Sequence, residues 1–227
     1  MTAEPRRAAR RAEAERNDRA LLRAAREVVT ADGAHASVAA IAARAGVGIG
    51  SLYRRYRSKE ELFQHLCEVA LDQWLDAAET GLAHDDPWEG FAHYFSAGTG
   101  VGSGSLAPIA GTIEITPEMA AKAQRGDAAI EALVARAHAA GVLRADVNAV
   151  DLALLIEQLS SSPLLEQLER QGRDDLVEAA AAARVRICAI ALDGLRHAAG
   201  GPLPGTPPSM RLITERWAPP ASSGDGG

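Results

Sequence analysis

Aromatic residues, cysteine and lysine are scarce in this 227-residue chain. Aromatics make up 4% of it, three each of Trp, Tyr and Phe. No stretch alternates apolar and polar residues as a half-buried strand does. With alanine abundant, the expectation is an all-α fold. The two cysteines, Cys67 and Cys188, lie far apart inside apolar helical patterns. Both read as small core residues, since a reactive thiolate wants an accessible, electropositive setting. No run of about 18 apolar residues is present to span a bilayer. The N-terminus is arginine-rich and lacks the apolar core of a signal peptide. A cytoplasmic protein without a membrane partner is expected.

Catalytic and cofactor motifs are missing too. The six histidines form no HxxxH pair and no Cys/His metal spacing, so no metal site is expected. Gly102-Ser103-Gly104 lacks the frame of a nucleophile elbow. The glycines at 98, 100, 102 and 104 do not make a dinucleotide fingerprint, because Ser103 stands where the third glycine is needed. No Lys-Ser/Thr follows as in a phosphate-binding loop. Gly98–Ser105 is read as a flexible connection, able to gate a pocket. The chain is expected to be no enzyme and to carry no cofactor.

Charge is present but unevenly placed. The net charge is −6, yet residues 1–65 hold 13 Lys and Arg against 8 Asp and Glu, a balance of +5. The remaining residues hold 11 against 22, a balance of −11. A basic module on an acidic body suits a protein that meets DNA at one end.

Ser37 to Tyr56, SVAAIAARAGVGIGSLYRRY, predicts two short helices around a tight turn at Ala45-Gly46-Val47. Ser37 is a good N-cap. Val38, Ile41, Ala42 and Ala45 share one apolar side, and Val47 and Leu52 supply apolar contacts for the second helix. Glycine at 46 accepts the positive φ that the turn demands. This layout is a helix-turn-helix, whose second helix enters the DNA major groove. Upstream, Leu21, Leu22, Ala25, Val28 and Val29 mark an amphipathic helix stopped by Asp32-Gly33. Downstream, Ser58 and Glu61 form a capping box for the next helix.

Gly33, Ser37-Val38, Ile41-Ala42, Ala45-Gly46-Val47, Leu52-Tyr53, Tyr56 and Ser58-Lys59-Glu60-Glu61-Leu62 together resemble the tetracycline-repressor (TetR) family of bacterial transcription regulators. The resemblance is strong from Glu15 to Trp74. Ala139 to Val147 is a weaker echo, similar to a junction in the family's C-terminal halves. The resemblance implies an N-terminal three-helix DNA-binding domain and a larger helical domain for effector binding and dimerisation. The boundaries expected are a basic flexible arm at 1–14, a DNA-binding domain at 15–74 with the helix-turn-helix at 37–56, a second domain at 75–199 and a disordered tail at 200–227.

For DNA, the resemblance and the helix geometry nominate Ser37 and the backbone amides from Val38 onward for a phosphate. Gly48, Ile49, Gly50 and Ser51 open the reading helix, where Ile49 can meet a thymine methyl. Tyr53 packs its ring and presents its hydroxyl. Arg54 serves guanine or phosphate, and Arg55, Tyr56 and Lys59 serve phosphates; Tyr56 and Leu52 have a core reading as well. Arg10 and Arg11, with Arg6 and Arg7, reach DNA from the arm or are simply solvated. Gly48 departs from the family pattern, where Ser or Thr caps this helix, and Gly48 with Gly50 makes it intrinsically looser.

Further along, helices are expected at about 58–81, from Asp86-Pro87 to Ala97, from Thr116 to Gly141 with an interruption near Gly126, at 148–170 with a break at Ser160–Pro163, and at 174–198. Trp74, Trp88, Phe91, Tyr94 and Phe95 crowd into one stretch. They either fill the core or line the pocket of a small apolar or aromatic effector, with His93 and Glu114 as polar anchors. Leu152, Leu155, Ile156, Leu159, Ala180, Ala183, Ile187, Ile190 and Ala191 form wide apolar faces. By the resemblance these join a second copy, an intramolecular core being the alternative. A homodimeric repressor on an inverted repeat of double-stranded DNA, released by its effector, is the expected function. The alternative is a dimeric interaction or ligand-binding module without specific DNA binding.

Overall fold

The computed structural model describes residues 3–100, 106, 109, 111–160, 163–196 and 201–214. Its helices are α1 (Ala3–Asp32), α2 (Val38–Ala45), α3 (Ile49–Arg55), α4 (Lys59–Ala83), α5 (Pro87–Thr99), α6 (Pro117–Ala139), α7 (Ala149–Ser160), α8 (Pro163–Arg170), α9 (Asp174–Gly194) and the short α10 (Arg211–Thr214). A 3-10 turn at Gly33–His35 links α1 to α2. Among the described residues there is no strand, only an isolated antiparallel bridge between Leu143 and Arg196. The fold is all-α.

Local chemistry sets four of the helix starts. Ser37 Oγ accepts from the Ala40 amide at 3.1 Å, and Ser58 Oγ from the Glu61 amide at 3.1 Å. The Glu61 carboxylate returns to the Arg57 amide at 2.6 Å, one residue ahead of the cap. Asp86 Oδ1 accepts from Trp88 and Glu89 at 2.8 and 2.9 Å, with Pro87 in the first turn where no amide is needed. Thr116 Oγ1 accepts from Met119 at 3.1 Å, again ahead of a proline. Each cap satisfies donors that a helix leaves orphaned.

Two apolar cores sit along α4. The first gathers Leu22, Ala25 and Val29 of α1, Ile41 of α2, Leu52 of α3 and Leu62, Phe63 and Leu66 of α4. It also takes in Ile109, Ile113 and Met119, so the segment before α6 closes the N-terminal bundle. Cys67 belongs to this core, where burial pushes its thiol up to about 12. The second core gathers Ala78 of α4, Trp88, Phe91, Tyr94 and Phe95 of α5, Ile130, Leu133 and Val134 of α6, Leu152 of α7 and Leu195. The long α4 thus carries the N-terminal helices on one half and the C-terminal ones on the other.

Four expectations need correction. α1 starts at Ala3, so 3–14 is helical and not a flexible arm; its Ala, Arg and Glu are strong helix formers with no breaker after Pro5. α6 runs through Gly126 without interruption. α9 ends at Gly194, short of residue 198. Residues 201–214 of the expected tail are placed: the Leu203 amide donates to Asp146 at 2.7 Å, Arg144 to the Gly201 carbonyl at 3.0 Å and Asn148 Nδ2 to the Pro208 carbonyl at 2.9 Å. These bonds tie 201–208 to the turn between α6 and α7. Residues 215–227 lie outside the described residues, as do 101–105 of the Gly98–Ser105 connection. No helix among the described residues is long and apolar enough to cross a membrane.

Candidate nucleic-acid interface

The turn between α2 and α3 is built by Gly46, whose amide reaches the Ala43 carbonyl at 3.2 Å and whose φ of 68° redirects the chain beyond it. The Val47 amide then reaches the Ala42 carbonyl at 3.0 Å. The Val38 side chain, with Ile41 and Ala42, seals α2 onto the core, so Val38 can offer DNA only its backbone amide. Ser37 stays exposed at the α2 N-terminus, where the helix dipole favours an anion.

α3 divides cleanly. Leu52 is its buried residue. Ile49 and Tyr53, four apart, and Gly50 and Arg54, four apart, share the outward side. All four are exposed, as are Gly48 and Ser51. Tyr53 is 53% exposed, so its ring stands out from the domain instead of packing within it. Val47 is also largely exposed, which leaves Leu52 as the inward anchor. The outward surface therefore combines apolar, hydroxyl and guanidinium groups, the set that reads base edges and phosphates.

Of the other nominated residues, Tyr56 faces inward, while Arg55 is exposed and engaged within the domain. Tyr56 is 6% exposed, its ring 5.3 Å from that of His65, and burial pushes its hydroxyl up to about 12. It is a core residue and not a phosphate contact, because the chain leaves α3 there and turns inward to start α4. Arg55 follows Leu52 by three residues and so flanks the inward side. Its Nη1 lies 2.7 Å from Asp18 Oδ1, and its Nη2 donates to Asp18 Oδ2 at 3.1 Å. The hydrogen bond to Asp18 raises the Arg55 guanidinium above its ordinary value. Lys59 is half-buried with its ammonium 5.1 Å from the centroid of the Phe63 ring. Arg10 and Arg11 fall on the first half of α1, and their side chains lie outside the described residues. Asp18 went unnoticed in the sequence, since nothing local pairs it with a residue 37 positions on.

In the C-terminal half the aromatics come together as one cluster. Trp88 stacks on Phe91 at 5.7 Å, and Trp74 Nε1 donates to the Tyr94 hydroxyl at 2.5 Å. Trp88, Phe91, Tyr94 and Phe95 are buried and Trp74 half-buried, and burial raises Tyr94 well above its ordinary value. His93 and Glu114 do not join them. His93 falls off the stripe formed by Phe91, Tyr94 and Phe95 and sits exposed against His84, with ring centroids 5.4 Å apart. The Glu114 side chain is exposed, and its backbone carbonyl accepts from Gln64. Among the described residues no three His, Cys, Asp or Glu are arranged to hold a metal ion.

The nominated dimer residues divide as well. Leu152 is 0% exposed, and Ala180 is buried, because these two face their own core. Leu155, Ile156, Leu159 and Ala191 pack half-buried against the same core. Ala183, Ile187 and Ile190 point away from it; Ile187 is 54% and Ile190 63% exposed. The buried face of α9 instead carries Arg184, whose Nη2 donates to the carbonyls of Thr99 at 2.7 Å and Gly100 at 3.1 Å. Leu164 at the start of α8 and Leu176 in the first turn of α9, which the helical spacing places on the same apolar faces, are exposed as well.

Residues 21–66 match the family model described as bacterial regulatory proteins, tetR family. A search of curated proteins returned no match. Solved structures similar to this chain include a TetR transcriptional regulator from Streptomyces coelicolor, 24% identical, covering 79% of this chain and 98% of that one, with a TM-score of 0.45. A TetR transcription regulatory protein from Mycobacterium vanbaalenii is 25% identical over 82% of this chain and 98% of that one, with a TM-score of 0.48. A TetR family regulator, PfmR, from Thermus thermophilus is 24% identical over 74% and 97%, with a TM-score of 0.40. The family match runs from the second half of α1 through α2 and α3 to the first turns of α4.

Proposed function

We infer, from the match of residues 21–66 to the model of bacterial regulatory proteins of the tetR family, that this chain is a tetR-family protein and a homodimeric repressor of transcription. It reads an inverted-repeat operator through α3 and leaves it when a small apolar or aromatic effector binds. The observation that carries the reading is the outward face of α3. There Ile49, Gly50, Tyr53 and Arg54 stand exposed on a module of net charge +5, beside an α2 N-terminus capped by Ser37. One helix of seven residues spans only a few base pairs, so useful specificity needs two half-sites and two copies. The bare apolar side of α9 at Ala183, Ile187 and Ile190 supplies a surface on which the copies meet. The effector's place is beside the aromatic cluster between α4 and α5. What supports it is the gathering of Trp74, Trp88, Phe91, Tyr94 and Phe95 in one apolar region.

Selection of bound sequences from a random duplex pool at two salt concentrations tests this. An enriched inverted repeat whose binding weakens steeply with salt is the expected result. That duplex then serves as the probe for effectors that release the protein. Recovery of no sequence above a salt-sensitive background would defeat the operator reading and favour a dimeric interaction module.

A further inference from the structure

The helix that faces DNA holds itself in place poorly. It has seven residues, its N-cap is Gly48 with no side chain to accept a hydrogen bond, and Gly50 lies in its first turn. Helices this short are marginal on their own, and interior glycine weakens them further. Leu52 anchors α3 inward, and Tyr56 anchors the residue after it.

Against this, Arg55 on the last turn reaches across to α1 with both terminal nitrogens on the two oxygens of Asp18. Nη2 to Oδ2 is a hydrogen bond and Nη1 to Oδ1 a close ion-pair contact, so charge and one directed bond hold the guanidinium against the carboxylate. Asp18 sits three and four residues ahead of Leu21 and Leu22, so it prolongs the stripe by which α1 packs on the core. Its side chain is 19% exposed, and it also lies 3.7 Å from His65 Nε2 on α4. One carboxylate therefore stands where α1, the end of α3 and α4 converge.

We propose that Asp18 is a positioning residue for DNA reading: acting through Arg55, it fixes the angle at which α3 presents Ile49, Gly50, Tyr53 and Arg54. This rests on the reading of α3 as the recognition helix. The proposal makes a prediction opposite in sign to simple electrostatics. Removing a negative charge from the basic module strengthens attraction to any DNA. Loss of a brace instead weakens binding to the chosen sequence and spares binding to the rest.

The test uses the full chain as wild type, Asp18→Asn, Asp18→Glu, Arg55→Gln and the Asp18→Asn/Arg55→Gln double variant. Each is titrated by fluorescence anisotropy against the selected duplex and a scrambled duplex, with thermal melting alongside. Expected is a loss of about tenfold in the ratio of selected to scrambled affinity for Asp18→Asn, with scrambled affinity equal or higher. Arg55→Gln should match that loss of ratio, with scrambled affinity lower because a positive charge is gone; the double variant's ratio should be no worse than either single one's, and Asp18→Glu should restore most of it. An intact ratio in Asp18→Asn, additive losses in the double variant, or a fall in melting temperature that accounts for the loss would each overturn the proposal. If the wild type itself enriches no sequence, the recognition-helix reading falls and takes this one with it. Enrichment by the wild type with an undiminished ratio in Asp18→Asn removes the brace alone.

Discussion

Gly126 on α6 lies beneath the indole of Trp74 on α4: a Cβ at 126 would stand 2.3 Å from Trp74 Cζ3 and 2.5 Å from Cε3. The residue that the helical pattern marks as a weak point is where α6 meets the six-membered ring of the indole. The same indole turns its N–H to Tyr94, so one glycine helps align α4, α5 and α6.

Gly126→Ala should therefore destabilise the protein, although alanine is the better helix former. Overpacking against a ring that is tied to Tyr94 costs about 1–3 kcal/mol. Thermal unfolding checks this, with Gly50→Ala as the control, since a Cβ at 50 meets nothing within 4 Å. An unchanged midpoint for Gly126→Ala would mean that Trp74 yields freely.

Restoring a cap to α3 should help it. At Gly48 the backbone is already extended, as an N-cap requires, and a Cβ there has open space. Gly48→Ser should add a few tenths of a kcal/mol to stability and tighten operator binding by supplying a hydroxyl near the backbone. Weaker operator binding by Gly48→Ser would show that the glycine is needed for close approach to DNA.

Ile187→Asp and Ile190→Asp place a charge on the exposed side of α9, away from the core of their own chain. Light scattering should report monomers, while circular dichroism keeps its helical signal. Ala180→Asp, by contrast, should unfold the C-terminal half, because a charge there is buried against its own chain. Dimers that survive both isoleucine variants would remove α9 from the interface.

Arg54→Ala should weaken operator binding by about 1–3 kcal/mol and relax the base preference at one position if the guanidinium reads a guanine. A uniform loss over all sequences, with a salt slope smaller by about one, assigns Arg54 to a phosphate. No loss of affinity would take Arg54 out of the interface.

The docked segment 201–208 should resist mild acid. The hydrogen bond from Arg144, followed by that from the Leu203 amide, holds the Asp146 carboxyl well below the usual carboxylate range. A depressed carboxylate contributes fully above its unfolded value, about 3.9, and its contribution fades as pH falls from there through the folded one. Protection of 201–214 from proteolysis should thus be flat from pH 5 to 8, and Asp146→Asn should lower it across that range. Equal protection in wild type and variant would assign the docking to Asn148 and the backbone instead.

Helix starts were legible wherever a polar cap preceded an apolar pattern, as at Ser37, Ser58, Asp86 and Thr116. The reason is that a cap acts over three residues and needs no partner from elsewhere. The turn at Gly46 was readable on the same ground. Helix continuity was less so. Whether α6 bends at Gly126 depends on Trp74, 52 residues away, and whether 3–14 joins α1 depends on a balance of propensities that no single residue signals. Facing was legible for α2, wrong for Tyr53 and left open for Tyr56, where two aromatics three apart compete for one inward position.

By itself, the sequence determined the capped helix starts, the turn at Gly46 and the basic end, because spacing, caps and charge act locally or add along the chain. Only the tertiary structure decided the rest. It turned Arg55 toward Asp18, set His93 and Glu114 apart from the aromatic cluster, and buried Ala180 while leaving Ile187 and Ile190 bare. Each of those outcomes depends on how one helix crosses another. A wide apolar helix carries more than one candidate buried face, and packing against its neighbours selects which of them is used.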